Sequence, residues 1–163
     1  MRNRIFISLV IAFVILFNIG CKDNSTGTEY ESDLEFSKME IHYTHSGGWI
    51  NTSKLYIYGD GRVNAYQIKH ASHDTLNSSY VFIDEEEQNK LEDLFESFSA
   101  YDYYYGPEIF VTDQDYYTTV LIYEDKVDTV DVYMPEQANI PDELEEIIHE
   151  MKTLWVVCSS LFE

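Results

Sequence analysis

Ile5 to Phe17 is an almost uninterrupted apolar run with only Ser8 polar, preceded by Arg2 and Arg4 and closed by Asn18-Ile19-Gly20-Cys21. This run sets where folding can begin. It is short for a spanning helix and has the length of the apolar part of an export signal, so residues 1–20 are expected to be removed and to take no part in the fold. An exported domain of this size often leans on disulfides, but with Cys21 at the cleavage point only Cys158 is left. Stability must then come from a hydrophobic core. Residues 38–163 are long enough for one domain that buries roughly two-thirds of its unfolded surface. Cys158 lies in Leu154-Trp155-Val156-Val157-Cys158, apolar surroundings in which a thiol is expected to be inert packing.

Gly20 followed by Cys21 resembles a lipobox, the signal of small bacterial lipoproteins. The resemblance implies a diacylglycerol on the Cys21 thiol, cleavage that leaves Cys21 as the first residue, and a domain held to a bilayer by lipid rather than by a helix. The expected location is the bacterial cell envelope, at the outer membrane. Lys22-Asp23 is also similar to a lipoprotein signal for the outer face of that membrane. Residues 21–37 read as the acylated cysteine and a flexible tether, since Lys22 to Glu29 has no apolar residue to bury.

Loss of Arg2 and Arg4 with the leader takes the formal charge from −20 to −22. Nucleic acid is excluded as a partner, because its binding rests on Lys and Arg contacts that release counterions. Two readings of the acidity stay open: a surface that keeps the domain soluble and off anionic headgroups, or a basic partner.

From Met39 the pattern has period two. Met39, Ile41 and Tyr43 fall on one face and Glu40, His42 and Thr44 on the other, until Ser46-Gly47-Gly48 breaks the strand. A second strand around Leu55 and Ile57, a turn at Gly59-Asp60-Gly61 and a third strand from Arg62 to Lys69 form a hairpin. A further strand is expected at Ser79 to Ile83, after an exposed loop from His70 to Ser78. Asp84 then caps a helix, with Glu87 three residues on and Leu91, Leu94, Phe95 and Phe98 at helical spacing. The carboxylates Glu85, Glu86 and Glu87 suit the positive end of that helix dipole better than a metal. Ser99 to Asp115 reads as a long tyrosine-rich connection. Tyr116 to Tyr123 and Val127 to Tyr133 form another hairpin, and Pro141 opens a last helix whose stripe is Leu144, Ile147, Ile148, Met151, Leu154 and Trp155. On this helix His149 is expected to face solvent, with Glu146 and Glu150 on the polar side.

This order gives an α+β domain: an antiparallel sheet of 5 to 6 strands with two amphipathic helices on one face. The other face should carry much of the tyrosine.

No nucleophile elbow, phosphate loop, dinucleotide fingerprint or metal-binding HExxH helix occurs, so no catalytic residue and no cofactor is assigned. The expectation is a protein that is not an enzyme. His70, His73 and Asp74 could converge on a metal, but a zinc site needs further ligands and none lies nearby, so no metal site is assigned. Two segments suit binding instead. Tyr103, Tyr104 and Tyr105 lie in a loop with Tyr101 and Phe110, where rings either cover a sheet edge or present broad amphipathic contacts to a partner. Gly47 and Gly48 before Trp49 either set that ring at a hairpin tip or let it fold back into the core.

Ile41-His42-Tyr43-Thr44-His45-Ser46-Gly47-Gly48-Trp49 and the hairpin after it resemble the opening of emfourin-type domains, proteinaceous inhibitors of thermolysin-like metalloproteases. The helix from Asp84, the strand Asp115-Tyr116-Tyr117-Thr118-Thr119-Val120, the hairpin to Val132 and Ile140-Pro141 before the last helix follow the same order. The resemblance implies a lipid-anchored protein with a protein partner, a protease, approached through Gly47, Gly48 and Trp49 and through Tyr103, Tyr104 and Tyr105. Binding of a glycan or small ligand by the tyrosine-rich surface is the alternative.

Overall fold

The computed structural model describes residues 34–47, 51–107 and 113–162, all within one compact unit, Ser32–Glu163. Its centre is β1 (Met39–Gly47), which pairs antiparallel with β2 (Thr52–Tyr58) on one side and with β6 (Asp115–Tyr123) on the other. Outward from β2 lie β3 (Arg62–Ile68) and β4 (Thr75–Phe82); outward from β6 lie β7 (Lys126–Tyr133) and β5 (Tyr104–Tyr105). The sheet order is β4-β3-β2-β1-β6-β7-β5. The architecture is α+β, but the sheet has seven strands and is mixed, where five or six antiparallel strands were expected.

The added strand is β5. It lies inside the segment read as a loop, because two residues are too few to show any alternation, and it runs parallel to β7. The chain reaches it from β4 at the other edge of the sheet by way of helix α1 (Glu85–Phe95) and goes on to β7 through β6, so that β5 and β7 run the same way. The fourth strand also begins earlier than expected, at Thr75 rather than Ser79. As an edge strand with alternately exposed residues it has little apolar contrast, and its register shifts beside Gln67 and Ile68.

Turn chemistry is local. Gly61 has φ +81°, and Ile83 N donates to its carbonyl at 3.0 Å. At Gly59 a Cβ would run into the Ser37 carbonyl, so the incoming chain crosses the hairpin at a point open only to glycine. That crossing seats Phe36, 5% exposed, in the core. Packing therefore reaches into the segment read as tether.

Asp84 caps α1 as expected, its side chain accepting from Glu87 N at 3.0 Å. Leu91 and Phe95 are buried, and Phe98 continues the stripe from a 3-10 turn at Phe98–Ala100, its ring centroid 5.0 Å from that of Phe95. Helix α2 (Asp142–Ser159) starts one residue after Pro141, which keeps extended ψ at the cap position. It buries Leu144, Ile147, Ile148, Met151 and Leu154, with Trp155 half-buried. His149 is exposed. Glu150 is not on the polar side as expected: it is 8% exposed, and Lys90 of α1 donates to its Oε2 at 2.5 Å. Position 150 borders the apolar stripe, and the α1 lysine supplies the charge that lets a carboxylate sit at this seam. Among the described residues no helix is long and apolar enough to cross a membrane.

Register places Ile41, Tyr43, Leu55, Ile57, Val63, Ala65, Tyr117, Leu121, Val130 and Val132 on one face. They form a single core with both helices.

Candidate functional site

The other face of the sheet is built by the alternate residues, and the ladder sets them in rows. One row runs Tyr80, Asn64, Tyr56, His42, Val120; the next runs Ser78, Tyr66, Lys54, Thr44, Thr118, Asp131, Tyr104. Neighbouring rows stand about 7 Å apart along the strands, so their rings meet. The Tyr56 ring lies edge-on to His42 at 4.7 Å and to Tyr66 at 5.7 Å, and Tyr80 lies edge-on to Phe82 at 6.2 Å. The Arg62 guanidinium covers the Tyr58 ring at 4.4 Å, a cation-π contact. Tyr80 and Phe82 are each 65% exposed. Large rings this open on an ordered strand contribute little to the core and leave their faces available to a ligand.

Over β3 and β4 these side chains line an open groove of about 810 Å³ that includes Arg62, Asn64, Tyr66, Asn77, Ser78 and Tyr80. Asn64 Nδ2 donates to the Tyr66 hydroxyl at 3.4 Å, while Asn77, whose Nδ2 donates to Gln67 Oε1 at 3.0 Å, alternates with these residues and carries the groove around the β4 edge together with Ser79 and Leu161. The groove therefore joins flat apolar rings to fixed amide and guanidinium groups. Towards the far edge the face becomes acidic. Thr118 Oγ1 donates to Asp131 Oδ1 at 2.7 Å, and the Tyr116 hydroxyl is pushed up to about 12, first by burial and then by Asp131.

The residues singled out from sequence are distributed unevenly. Cys21, Gly48 and Trp49 lie outside the described residues. Gly47 ends β1 opposite Asp115, and a Cβ there would meet Asp115 Oδ1 at 2.7 Å. Tyr103 is 78% exposed, whereas Tyr104 and Tyr105 are half-buried in β5. The Tyr104 hydroxyl donates to Pro107 O at 3.4 Å, and the Tyr105 hydroxyl accepts from Asp102 N at 3.1 Å. Of the three rings, Tyr103 alone stands clear of the fold. The Gly47 end of β1 and β5 share one end of the sheet, three strand steps or about 14 Å apart.

Among the described residues no three His, Cys, Asp or Glu side chains gather as a metal site, and His70, His73 and Asp74 are exposed around a turn where His73 has φ 58°. Cys158 is wholly buried, and burial pushes its thiol up to about 11, which keeps it protonated and unreactive.

One cluster has no counterpart in the sequence reading. At the Gly47 end, on the helix-covered face, His45 Nε2 lies 3.0 Å from Asp115 Oδ1 and its ring stacks on Tyr117 at 4.5 Å. Lys152 Nζ of α2 sits 4.3 Å above the same Tyr117 ring. These residues come from β1, β6 and α2, so no local motif could have announced them.

No family model matches the chain, and no curated protein matches it.

Proposed function

We propose that this chain is a lipid-anchored binding protein of the bacterial cell envelope, held at the outer membrane through Cys21, whose helix-free sheet face binds neutral glycans and performs no chemistry on them. The groove over β3 and β4 carries this reading: the Tyr66 and Tyr80 rings stand beside Arg62, Asn64 and Ser78 in an open, shallow cleft. A sugar offers C–H surfaces that lie on aromatic faces, and hydroxyls that need donors and acceptors around them. The chain's formal charge of −20 disfavours polyanionic glycans, which leaves neutral ones.

The test is calorimetric titration of the full chain with a panel of neutral oligosaccharides, repeated on Tyr66→Ala and Tyr80→Ala. Each substitution is expected to weaken binding roughly tenfold, the scale of one well-made aromatic contact. A panel that gives no heat at millimolar concentration sinks the proposal. The anchor is tested separately by mass spectrometry of the native protein: a diacylated Cys21 at the N-terminus is expected, and an intact leader with an unmodified Cys21 refutes it.

A second reading is protease inhibition of the emfourin kind, favoured by the shared sheet end of Gly47 and the exposed Tyr103. There the loops, with Gly48 and Trp49, enter a metalloprotease cleft. Thermolysin-like enzymes left at full activity by micromolar protein would remove it.

A further inference from the structure

Beyond the groove, on the opposite face of the sheet, β1 and β6 run past the cover of α2 and leave a separate cavity of about 280 Å³. Its walls are Tyr43, His45, Ser53, Tyr117, Lys152, Trp155 and Val156. Two features of this wall are unusual for the chain. The first is that it holds buried polar atoms without partners among the described residues: the Tyr43 hydroxyl, on a residue 2% exposed, and the Trp155 indole Nε1. A buried donor left unmade costs about 1–3 kcal/mol, so most folds do not retain one without a use for it.

The second is charge. The chain has 30 acidic residues, yet none lines this cavity. Lys152 lines it, makes no ion pair among the described residues, and rests only on the Tyr117 ring. The carboxylates on the other side of Lys152, Asp115, Glu136 and Glu145, line the adjoining cavity, and Asp115 is engaged by His45 and by the Tyr117 hydroxyl at 3.3 Å. An indole N–H and an ammonium can only donate, so the wall carries surplus donors and calls for an acceptor that the protein does not supply. The Tyr117, Trp155 and Val156 side chains supply the apolar surface, and His45 and Ser53 complete the polar part of the lining.

We infer that this cavity is a binding site for a small monocarboxylate with an apolar body, the carboxylate taking the Lys152, Trp155 and Tyr43 donors and the body lying against Val156 and the rings. The assignment stands apart from the glycan reading, since the two sites share no residue and the Tyr66 and Tyr80 rings of the groove are on the other face of the sheet from the cavity.

The test uses the full chain labelled with nitrogen-15, with the indole resonance of Trp155 identified by its loss in Trp155→Phe. Phenylacetate is titrated against its neutral analogue phenylacetamide. Phenylacetate is expected to shift the Trp155 indole signal in a saturable way, with the amide at least roughly tenfold weaker. Tyr43→Phe removes only an oxygen that has no partner, so this variant folds at least as well as the parent. It is expected to bind phenylacetate roughly three- to tenfold more weakly, and Lys152→Met more weakly by roughly tenfold or more. No movement of the indole signal at ~10 mM phenylacetate, or equal binding of acid and amide, overturns the assignment. Unchanged affinity in both folded variants overturns it as well.

Discussion

On the covered face of the sheet Ile41, Leu55, Ile57, Val63 and Ala65 are wholly buried, whereas the residues between them on the same strands, His42, Tyr56, Tyr58 and Asn64, remain half-exposed. Backbone pairing is common to both faces, so the difference lies in the side chains and in what covers them. Branched aliphatic groups interlock with the helices at the density of a core. Rings of tyrosine and histidine meet edge to face instead, within a row at His42 and Tyr56 and between rows at Tyr56 and Tyr66. Stability is thus concentrated on one face, and the other is free to be shaped by a ligand.

That contrast can be broken most directly at Ile57. Ile57→Ala is expected to cost about 2–5 kcal/mol through lost burial and the cavity left behind, read as a lower urea midpoint at unchanged slope. A cost near zero would mean that the covered face is not where the stability resides.

The helical cover depends on its caps. Asp84→Ala, which strands the Glu87 N–H, is expected to cost about 1 kcal/mol, and Asp84→Asn to restore most of it.

The seam between the two helices sharpens the contrast through pH. Burial holds Glu87 above its ordinary carboxyl range, opposed by Lys90 and reinforced by Glu150. A carboxyl whose pKa is raised on folding binds its proton more tightly in the native state. Its contribution is therefore fully present below the unfolded value near 4.5 and is lost as pH rises through the higher folded value. Glu87→Gln is expected to flatten that fall, so the gap in melting temperature between variant and parent should widen from pH 4 towards pH 7. A gap that narrows over this range would show the carboxyl to be stabilised in its charged form instead.

The smallest effect on stability is expected at Tyr80. Tyr80→Ala should lie within about 0.5 kcal/mol of the parent while losing glycan affinity, which separates a binding face from a packing face. Destabilisation on the scale of Ile57→Ala would erase that distinction.

Much of this arrangement was legible from the residue pattern. Alternation from Met39 to Thr44 located a strand and its inner face, and the Asp84 to Glu87 spacing located a helix start to the residue. Both are local, and local physics decides them. Strand β5 escaped because Tyr104 and Tyr105 acquire their pairing only from β7, a partner more than twenty residues away. Glu150 was misassigned because helical spacing alone cannot show that Lys90 waits on the other helix. The tyrosines of the open face could be assigned to that face from parity. Their rows, and hence the groove between Tyr66 and Tyr80, required the register.

By itself the sequence determined the apolar run from Ile5 to Phe17 ahead of Cys21, the strongly acidic charge, and which residues of a strand such as β1 share a face. Those properties belong to single segments and need no partner. Only the tertiary structure decided which strands are neighbours, and with that the mixed edge at β5, the groove on the open face, and the meeting of Tyr43, Lys152 and Trp155. Each of these joins residues far apart in the chain, and their proximity follows from how the helices close over one side of the sheet.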